Sequence, residues 1–236
     1  LTMKEKFVIA KDADQCIFSA DRNIKFLPGQ YMEWTLWHKN PDKRGIRRYF
    51  TIASSPTEKE MMLGIKFYDQ SSSFKKTLMR LKPSETIVAS QLAGDFTMPK
   101  DKAKKMVFIA GGIGVTPFRS MTKYLLDKKE KRNITMFYAN NSFAEIAYRE
   151  LFEQAEKELG MKIHHVLKDT ANVPTHFAYK KGLMDAETIR REVPDYKERV
   201  FYISGPKGMV DSFKKALSDL GVSRTHIKTD FFPGFV

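Results

Sequence analysis

The segment with the strongest chemical signal spans residues 107–117, where an apolar run ends in three glycines within four residues and a helix is predicted to follow. The glycines are Gly111, Gly112 and Gly114. Glycine lets the backbone turn tightly and approach a ligand, and amide groups at a helix start attract phosphate. Thr116 is a suitable N-cap, and Pro117 suits the first helical position. We interpret the segment as a phosphate-binding loop, the alternative being a strand-to-helix turn that binds nothing.

A second strand-to-glycine junction lies at Ser204-Gly205-Pro206, after the apolar run 200–203. In a doubly wound sheet, ligands bind beyond the carboxyl ends of the strands, near the point where the strand order reverses. The two glycine junctions could therefore face one ligand. Taken alone, Ser-Gly-Pro is a common turn.

A third segment combines a cation with aromatic and hydroxyl side chains, Arg48-Tyr49-Phe50-Thr51. The guanidinium fork of Arg48 could clamp a diphosphate. On a strand, Arg48 and Phe50 would share one face, and Tyr49 and Thr51 the other. Spacing alone favours the alternative of an ordinary strand with Arg48 in solvent.

The elements that position these segments differ between the two halves of the chain. Residues 1–98 contain short β-type runs separated by Gly and Pro turns, which predict a small β-barrel or sandwich with one helix. The predicted strands are 6–10, 30–38, 49–53, 61–68 and 86–89, and the predicted helix is 74–81. A polar joint at 98–105 has no apolar period and marks the domain boundary.

After the joint, strands alternate with helices, which predicts a parallel sheet covered on both faces. The predicted strands are 106–110, 134–138, 163–167 and 200–204, and the predicted helices are 117–127, 146–159 and 209–220. The fold class is therefore two-domain: an N-terminal antiparallel β-barrel (1–100) and a C-terminal α/β doubly wound parallel sheet (104–236).

Composition limits the function classes. The 236 residues include 41 Lys+Arg and 28 Asp+Glu, a net charge of +13. The excess is spread over both halves rather than clustered in a stripe, which disfavours nucleic acid as a partner. It is compatible with a lysine-rich soluble surface or with docking to an acidic partner or an anionic membrane face.

Cysteine and apolar content add further limits. Cys16 is the only cysteine, so this chain alone cannot hold a disulfide, a four-cysteine zinc site or an iron–sulfur cluster. The histidines form no metal cluster, and we expect no metal site. No apolar run approaches the roughly 20 residues of a membrane helix, and no signal peptide is visible. We expect a cytoplasmic protein or, because the chain starts at Leu1, the cytoplasmic part of a membrane protein.

The three segments, in this order, resemble the ferredoxin–NADP reductase superfamily over nearly the whole chain. The resemblance implies a flavin-binding barrel followed by a nicotinamide-nucleotide domain. Arg48 would bind the flavin diphosphate, Phe50 would lie against the isoalloxazine or ribityl chain, and Thr51 would lie near flavin N5. A register one residue earlier, with Arg47 and Tyr49 in these roles, is the second choice.

The resemblance also implies a second flavin-phosphate segment at the start of the barrel helix. Ser72, Ser73 and Phe74 occupy that place, and serines before a helix supply N-cap oxygens and amides. A capped surface helix is the alternative. The resemblance further implies that Ile52 and Lys66 of the barrel contact the cofactor. The Gly94-Asp95-Phe96 tripeptide resembles the family's barrel-closing segment, a mainly structural feature.

In the second domain, 111–117 matches the family motif Gly-Gly-x-Gly-x-Thr/Ala-Pro. The match implies that Gly112, Gly114 and Thr116 bind the nicotinamide-side diphosphate. Many members have cysteine where this chain has Ser204, which keeps a small polar group near the nicotinamide.

The segment 138–141, which includes Asn140, has no arginine for a 2′-phosphate, so NADH is favoured over NADPH. Arg149 and Lys168 are the basic residues that could reach such a phosphate. Phe235 is the candidate for stacking on the flavin, with Phe232 as the alternative, and core packing would explain either.

The resemblance implies an oxidoreductase that passes hydride from NADH or NADPH to bound FAD and then electrons to a separate acceptor, with Thr51, Ser204 and Phe235 at the reacting centre. The acceptor would be an acidic carrier such as a ferredoxin or flavodoxin, or a linked redox domain. The basic loop Lys39, Lys43, Arg44 and Arg47 could dock it, or could be a solvated turn. The alternative function is a non-catalytic flavin- and nucleotide-binding subunit of a membrane electron-transfer assembly, with a redox-sensing or structural role.

Overall fold

The computed structural model describes the backbone of residues 1–232 and the side chains of residues 1–230. The N-terminal part contains two antiparallel three-stranded sheets, ordered β1-β2-β5 and β4-β3-β6. The strands are β1 (Thr2–Ala10), β2 (Ala13–Ser19), β3 (Tyr31–Thr35), β4 (Arg47–Thr51), β5 (Met61–Lys66) and β6 (Val88–Ala93), and the helix is α1 (Ser73–Arg80). These sheets confirm the fold class predicted for this half.

Backbone hydrogen bonds join the two sheets at both edges, so the six strands close into a barrel. The Met3 N–H donates to Glu85 O (2.8 Å) on the segment that leads into β6, and the Ala53 N–H donates to Met62 O (2.8 Å) between β4 and β5. Closure leaves few unpaired strand edges. The interior is filled by large apolar side chains, with Trp34 fully buried at its centre.

The C-terminal part is a six-stranded parallel sheet with the order β10-β9-β8-β7-β11-β12. Its strands are β7 (Met106–Gly111), β8 (Ile134–Asn140), β9 (Lys162–Leu167), β10 (Lys180–Lys181), β11 (Val200–Pro206) and β12 (Ile227–Phe232). Its helices are α2 (Thr116–Asp127), α3 (Arg149–Leu159), α4 (Ala186–Glu192) and α5 (Lys207–Asp219). The parallel sheet confirms the doubly wound class predicted for the second half.

Helices cover both faces of this sheet. Phe118 of α2 and Phe152 of α3 pack into one core, while Ile189 of α4 and Phe213 of α5 pack into the other. Every residue of β7 is buried, as expected for a central parallel strand covered on both faces. Within residues 1–232, no helix combines the length and apolar character needed to cross a membrane.

The chain order fixes the place of the ligand crevice. From the central β7 the chain moves outward through β8, β9 and β10, and it then returns to β11 on the other side of β7. The strand order therefore reverses between β7 and β11. Ligands of open parallel sheets bind beyond the carboxyl ends of the strands at such a point.

One predicted helix begins later than expected. The prediction of 146–159 was wrong at its start, because α3 begins at Arg149. Tyr148 has a left-handed φ of 57°, and the Ala147 N–H donates to Tyr138 Oη (3.1 Å) instead of to a helical carbonyl. The Tyr148 ring fills the space beside Gly64 of the barrel. A tertiary contact between the two halves thus overrides the helical periodicity.

The segment between β6 and β7 packs on the core of the second half. The Phe96 ring lies 5.7 Å from Phe118 and 5.2 Å from Tyr202, measured between ring centroids. Tyr202 Oη also donates to Thr97 O (2.8 Å). Phe96 is therefore structural, as predicted. The boundary near residue 100 remains a prediction.

Candidate functional site

The two glycine junctions of the parallel sheet meet at the reversal point. A Cβ placed on Gly114 would lie 2.5 Å from Gly205 Cα and 2.6 Å from Ser204 O, both backbone atoms. Only glycine permits this approach, because real Cβ atoms do not come so close to backbone. The structure thus brings together the two junctions predicted to face one ligand.

A pocket of about 490 Å³ opens beside these junctions, at the carboxyl ends of the parallel strands. Its size is that of a small-molecule or cofactor site. The predicted residues that line it are Lys66, Gly111, Gly112, Gly114, Asn140, Gly205 and Pro206. Further lining residues include Tyr68, Glu145, Met184 and Met209, which the motifs did not identify as pocket residues. Lys168, one of the two basic residues that could reach a 2′-phosphate, also lines it.

The loop after β7 presents its backbone to this pocket. Gly112 has a left-handed φ of 51°, and no atom lies within 4 Å of the position that its Cβ would take. Residues Gly112–Val115 form a single 3₁₀ turn that continues directly into α2. The start of the helical segment, where amides lack carbonyl partners, is therefore at the pocket.

The helix start predicted at Thr116 and Pro117 was wrong in two details. The N-cap of α2 is Val115, and Thr116 is the first helical residue, so Pro117 is the second. The Thr116 N–H donates to Ile113 O because the preceding 3₁₀ turn continues into the helix. Thr116 is buried against Gly64 of the barrel, and neither it nor Pro117 lines the pocket. The implied contact of Thr116 with a diphosphate remains a prediction, and these positions give it no support.

Two buried polar side chains near the pocket make no hydrogen bond within the described part of the chain. They are Asn140, through both atoms of its amide, and Ser204, through Oγ. Buried polar groups in folded proteins are nearly always paired with protein, water or ligand. Asn140 lines the pocket, and Ser204 precedes the Gly205 that does so. Both side chains are thus available to a bound molecule.

An ion pair crosses the pocket from one half of the protein to the other. Lys66 Nζ, at the end of β5, lies 2.6 Å from Glu145 Oε2, in the turn after β8. Asn141 Nδ2 donates to the same oxygen (3.3 Å). Both charged side chains are largely shielded from solvent. Lys66 therefore lies at the pocket, as predicted, with its charge compensated by a residue that sequence reasoning did not identify.

A buried hydrogen bond joins the barrel motif to the last strand of the parallel sheet. Thr51 Oγ1, at the end of β4, donates to Asp230 Oδ2 (3.2 Å) on β12. Burial raises the pKa of the Asp230 carboxyl to about 6, with the Thr51 hydroxyl acting in the opposite direction. Asp230 was not predicted. Its only signal in the sequence is an acidic residue directly before two phenylalanines at the end of β12.

Ser204 lies on the same face as this pair. Ser204 and Asp230 are register partners in the parallel β11–β12 pair, so their side chains point to the same side of the sheet. Tyr202, two residues before Ser204, bonds through its hydroxyl to Thr97 and thus marks the barrel-facing side. Thr51, Asp230 and Ser204 are therefore gathered where the two halves meet.

The predicted face-sharing of Arg48 and Phe50 is confirmed. Both contact Phe74 of α1, with the Arg48 guanidinium 5.5 Å and the Phe50 ring 5.7 Å from the Phe74 ring centroid. Tyr49, on the opposite face, is 57% exposed and lies edge-on to Tyr31. Phe74 itself is fully buried in the barrel core.

The serines at the start of α1 act as predicted in one respect. Ser72 is the N-cap, and its Oγ accepts from the Lys75 N–H (3.3 Å). The Ser73 N–H donates to Asp42 Oδ2 (2.9 Å), and Arg48 Nη2 lies 3.1 Å from Asp42 Oδ1. Arg48 and the α1 start thus form one anion site, which holds the carboxylate of Asp42.

Two predicted site residues remain, Ile52 after β4 and Phe235 near the end of the sequence. The Ile52 side chain is fully buried in the barrel core, and its N–H donates to Gln30 O (3.0 Å). The contact of Ile52 with a cofactor remains a prediction, and these positions of its side chain and N–H give it no support. Phe235 lies outside the described residues, and the alternative Phe232 is the last residue of β12.

Comparison with known proteins gives a family for the second half. Residues 108–215 match the oxidoreductase NAD-binding domain family. A flavohemoprotein of Bacillus cereus is 25% identical over 215 residues, covering 88% of this chain and 53% of the relative. An oxidoreductase NAD-binding domain-containing protein 1 of Pongo abelii is 28% identical over 229 residues, covering 88% of this chain and 71% of the relative. The chain thus spans about half the length of the flavohemoprotein it matches.

Solved structures share the whole fold. The cytochrome P450 reductase GcoB of Amycolatopsis has a TM-score of 0.82 at 22% identity, covering 98% of this chain and 68% of that protein. The FAD/NAD-binding domain of a nitric oxide dioxygenase from Vibrio cholerae has a TM-score of 0.80 at 21% identity, covering 98% of this chain and 97% of that domain. A ferredoxin-NADP⁺ reductase from Plasmodium falciparum has a TM-score of 0.76 at 18% identity, covering 98% of this chain and 95% of that protein.

These likenesses confirm the resemblance drawn from the three sequence segments and the oxidoreductase class that it implied. They agree with the closed barrel, the doubly wound sheet and the glycine junctions described above. The chain thus has the two-domain fold of the FAD/NAD-binding domain and of the ferredoxin-NADP⁺ reductase compared above, and its residues 108–215 match the oxidoreductase NAD-binding domain family.

Proposed function

We propose that this chain is a flavin-dependent oxidoreductase module that takes hydride from NADH or NADPH onto bound FAD and delivers electrons to a separate acceptor. The observation that carries the proposal is the Thr51–Asp230 hydrogen bond. It joins the end of the flavin-motif strand to the strand beside Ser204, so the two predicted cofactor segments converge on one buried place.

The pocket residues fit a nicotinamide dinucleotide. The Gly112 backbone faces open space, and the Asn140 amide and Ser204 hydroxyl are buried without partners. A dinucleotide offers phosphate oxygens for the loop amides and an amide group for polar side chains. Gly111, Gly112, Gly114 and Gly205 would hold the diphosphate, with Asn140 and Ser204 as polar contacts.

The barrel residues fit the diphosphate of a flavin dinucleotide. The site formed by Arg48 and the α1 start already binds a carboxylate, which shows that its donors suit an oxyanion. Arg48, Ser72 and Ser73 would hold the diphosphate, with Phe50 and Tyr49 as aromatic contacts on the two faces of β4. FAD and the nicotinamide supply the hydride and electron-transfer chemistry when bound.

The role of the chain is to position the cofactors and to manage one proton. Asp230 takes up a proton as pH falls through about 6, because burial raises its pKa to about 6. Thr51 Oγ1 orients the carboxyl through its hydrogen bond to Oδ2. Ser204 and Gly205 shape the wall next to this carboxyl, and the packed interface limits the entry of water. Phe235 keeps the stacking role implied by the resemblance.

NADH is the proposed nucleotide. Arg149, one of the two residues that could reach a 2′-phosphate, faces Glu153 and the Phe143 ring and does not line the pocket. Lys168 does line it, and the neighbouring carboxylate of Glu145 is already paired with Lys66. NADH is proposed because the segment 138–141 has no arginine for a 2′-phosphate.

The proposed acceptor is an acidic carrier protein or a linked redox domain that receives the electrons on the cytoplasmic side. Exposed basic residues surround the flavin-motif strand, namely Lys39, Lys43, Arg44 and Arg47, and the neighbouring Trp37 is 82% exposed. Tryptophan and arginine are frequent anchors of protein interfaces. Reversing the charges of Lys43 and Arg44 should slow transfer to an acidic carrier and flatten its salt dependence. Unchanged rates would remove this surface from the proposal.

The experiment that tests the function is a visible spectrum of the purified chain with FAD, followed by anaerobic titration with NADH and then NADPH. We expect bound flavin that is bleached by NADH at lower concentration than by NADPH. Bound flavin that neither nucleotide reduces would favour the alternative of a non-catalytic subunit. The serine at position 204, where many members of the family have cysteine, is the residue that favours this alternative. Failure to bind flavin would refute the assignment of Arg48–Thr51.

A further inference from the structure

Asp42 occupies the anion site of the barrel with several directed contacts. Its Oδ2 accepts from the Ser73 N–H (2.9 Å), and its Oδ1 accepts from the Arg44 N–H (3.0 Å) and from Arg48 Nη2 (3.1 Å). Although burial alone would raise the pKa of Asp42, these donors lower it to about 2. The carboxylate is therefore ionised throughout the physiological range, and it is bound as an external anion would be.

The surroundings of this carboxylate carry more positive than negative charge. The ammonium of Lys75 lies in the same region, and its pKa is lowered to about 8 by burial and by the charges of Arg44 and Arg48. Asp42 compensates only part of this charge. A diphosphate carries about two negative charges and would pair with the same cations more completely.

The donors that hold Asp42 cannot hold a diphosphate at the same time. Arg48 Nη1 is taken by the carbonyls of Arg44 (2.9 Å), Gly45 (3.0 Å) and Arg47, so the Nη2 edge that faces Asp42 and the unpartnered Nε are what remain. The Ser73 amide has one hydrogen to donate. A diphosphate that accepts from the Ser73 amide and from the Nη2 edge of Arg48 must therefore replace Asp42.

Asp42 belongs to a segment that can leave at modest cost. We name residues 38–46 the barrel loop. None of its residues is buried. Besides its contacts with Arg48 it is held to α1 by Ser73, whose N–H donates to Asp42 Oδ2 and whose Oγ accepts from the Asp42 N–H (2.9 Å) and contacts His38 Nε2 (2.9 Å). Its two ends are held to the backbone of Leu36, whose N–H donates to Ile46 O (3.0 Å) and whose carbonyl contacts His38 Nδ1 (2.8 Å). Segments with few buried apolar contacts open at low free energy.

We propose that Asp42 is a built-in competitor for the flavin diphosphate, so that FAD binding expels this carboxylate and displaces the barrel loop. The proposal rests on the proposed function, because it assumes that FAD binds at Arg48 and α1. In the cofactor-free protein Asp42 satisfies the anion site, and breaking its contacts lowers FAD affinity.

The first test measures the dissociation constant of FAD for the purified full chain by isothermal titration calorimetry. Asp42→Ala removes the competing carboxylate, and Asp42→Asn removes its charge while keeping its shape. We expect FAD to bind about tenfold more tightly to both variants, since the cofactor then no longer has to displace an ionised carboxylate held by charge-assisted hydrogen bonds. Asp21→Asn, at an exposed position of the same barrel, should leave the constant unchanged. Riboflavin has no phosphate and should show no gain.

The second test follows the loop itself by trypsin cleavage, with the products mapped by mass spectrometry. Lys43 and Arg44 are cleavage sites within the barrel loop. FAD should accelerate cleavage there in the wild-type chain, because the loop leaves α1 when the cofactor binds. This readout does not depend on the folding of a variant.

The outcomes separate the proposal from the function on which it rests. Equal FAD affinity of wild type and both Asp42 variants, or slower cleavage of the barrel loop with FAD, would overturn the proposal while leaving flavin binding intact. A gain for riboflavin equal to that for FAD would also overturn it. Absence of FAD binding by every variant would overturn the proposed function, and the proposal with it.

Discussion

Replacing Asp230 by asparagine should make the protein more stable at neutral pH and should change how its stability depends on pH. The carboxyl is largely shielded from solvent where the two halves meet, and Thr51 is its only hydrogen-bond partner among the described residues. Because its pKa in the folded protein, about 6, lies above the usual 3.8, the folded state binds the proton more tightly than the unfolded state. The free energy of unfolding therefore falls as pH rises through this window.

The size of the effect follows from the two pKa values. Each unit of difference corresponds to about 1.4 kcal/mol, so ionised Asp230 costs the folded state roughly 3 kcal/mol once pH exceeds 6. Between about pH 4.5 and about pH 7.5, the part that develops is roughly 2 kcal/mol. The gain of Asp230→Asn over wild type should therefore be about 2 kcal/mol larger at the higher pH.

Urea unfolding of the two proteins at both pH values measures this difference. Any constant effect of the asparagine, such as a changed hydrogen bond to Thr51, cancels when the two pH values are compared. Asp219→Asn, at an exposed position at the end of α5, is the matched control and should show no difference between the two conditions. A gain for Asp230→Asn that is the same at both pH values would refute the assignment of a raised pKa to this carboxyl.

Three further predictions concern two glycines and one shielded ion pair. Gly114→Ala should destabilise the chain by about 1–3 kcal/mol and abolish nucleotide binding, because the added Cβ meets the backbone of Gly205; unfolding and NADH titration would measure both effects. Gly208→Ala should instead raise stability by about 0.5–1 kcal/mol in urea unfolding, since it lies within α5 with no atom near the new Cβ. Glu58→Gln should cost about 3 kcal/mol in thermal unfolding, because the shielded Arg119 guanidinium loses its carboxylate partner.

Glu60→Gln removes a partly exposed carboxylate paired with the exposed Lys4 and should leave the melting temperature unchanged, in contrast to Glu58→Gln. Equal effects of the two glutamine variants would show that shielding the Arg119–Glu58 pair from solvent does not make its loss more destabilising. Nucleotide binding by Gly114→Ala at wild-type affinity would mean that the two glycine junctions can separate without loss of the site.

The sequence predicted those elements whose signals are local. β7 and β11 were found because apolar runs end in glycine, and α1 because serines precede an amphipathic stretch. β2, β12 and α4 were not predicted. β12 has a lysine and an aspartate within six residues, and both serve contacts with the barrel that no local pattern records.

The site was predicted only in part for the same reason. The glycines and Asn140 line the pocket as expected, because a strand end and a tight turn are readable from the chain. Glu145 pairs with Lys66 across 79 positions, and Asp230 with Thr51 across 179. Such partners come together only because the two halves of the folded chain pack against each other, and no local sequence pattern records that packing. Asp42 is six positions before Arg48, but its role depends on the amide of Ser73.

The position of Phe96 has a consequence for how this protein can be recombined with its relatives. Phe96 precedes the predicted boundary, yet its ring packs between Phe118 and Tyr202 in the second half. A chimaera joined at residue 100 would combine the Phe96 of one parent with the packing partners of another. A junction placed before Gly94 would transfer both together, so the unit that can be exchanged begins several residues earlier than the polar joint suggests.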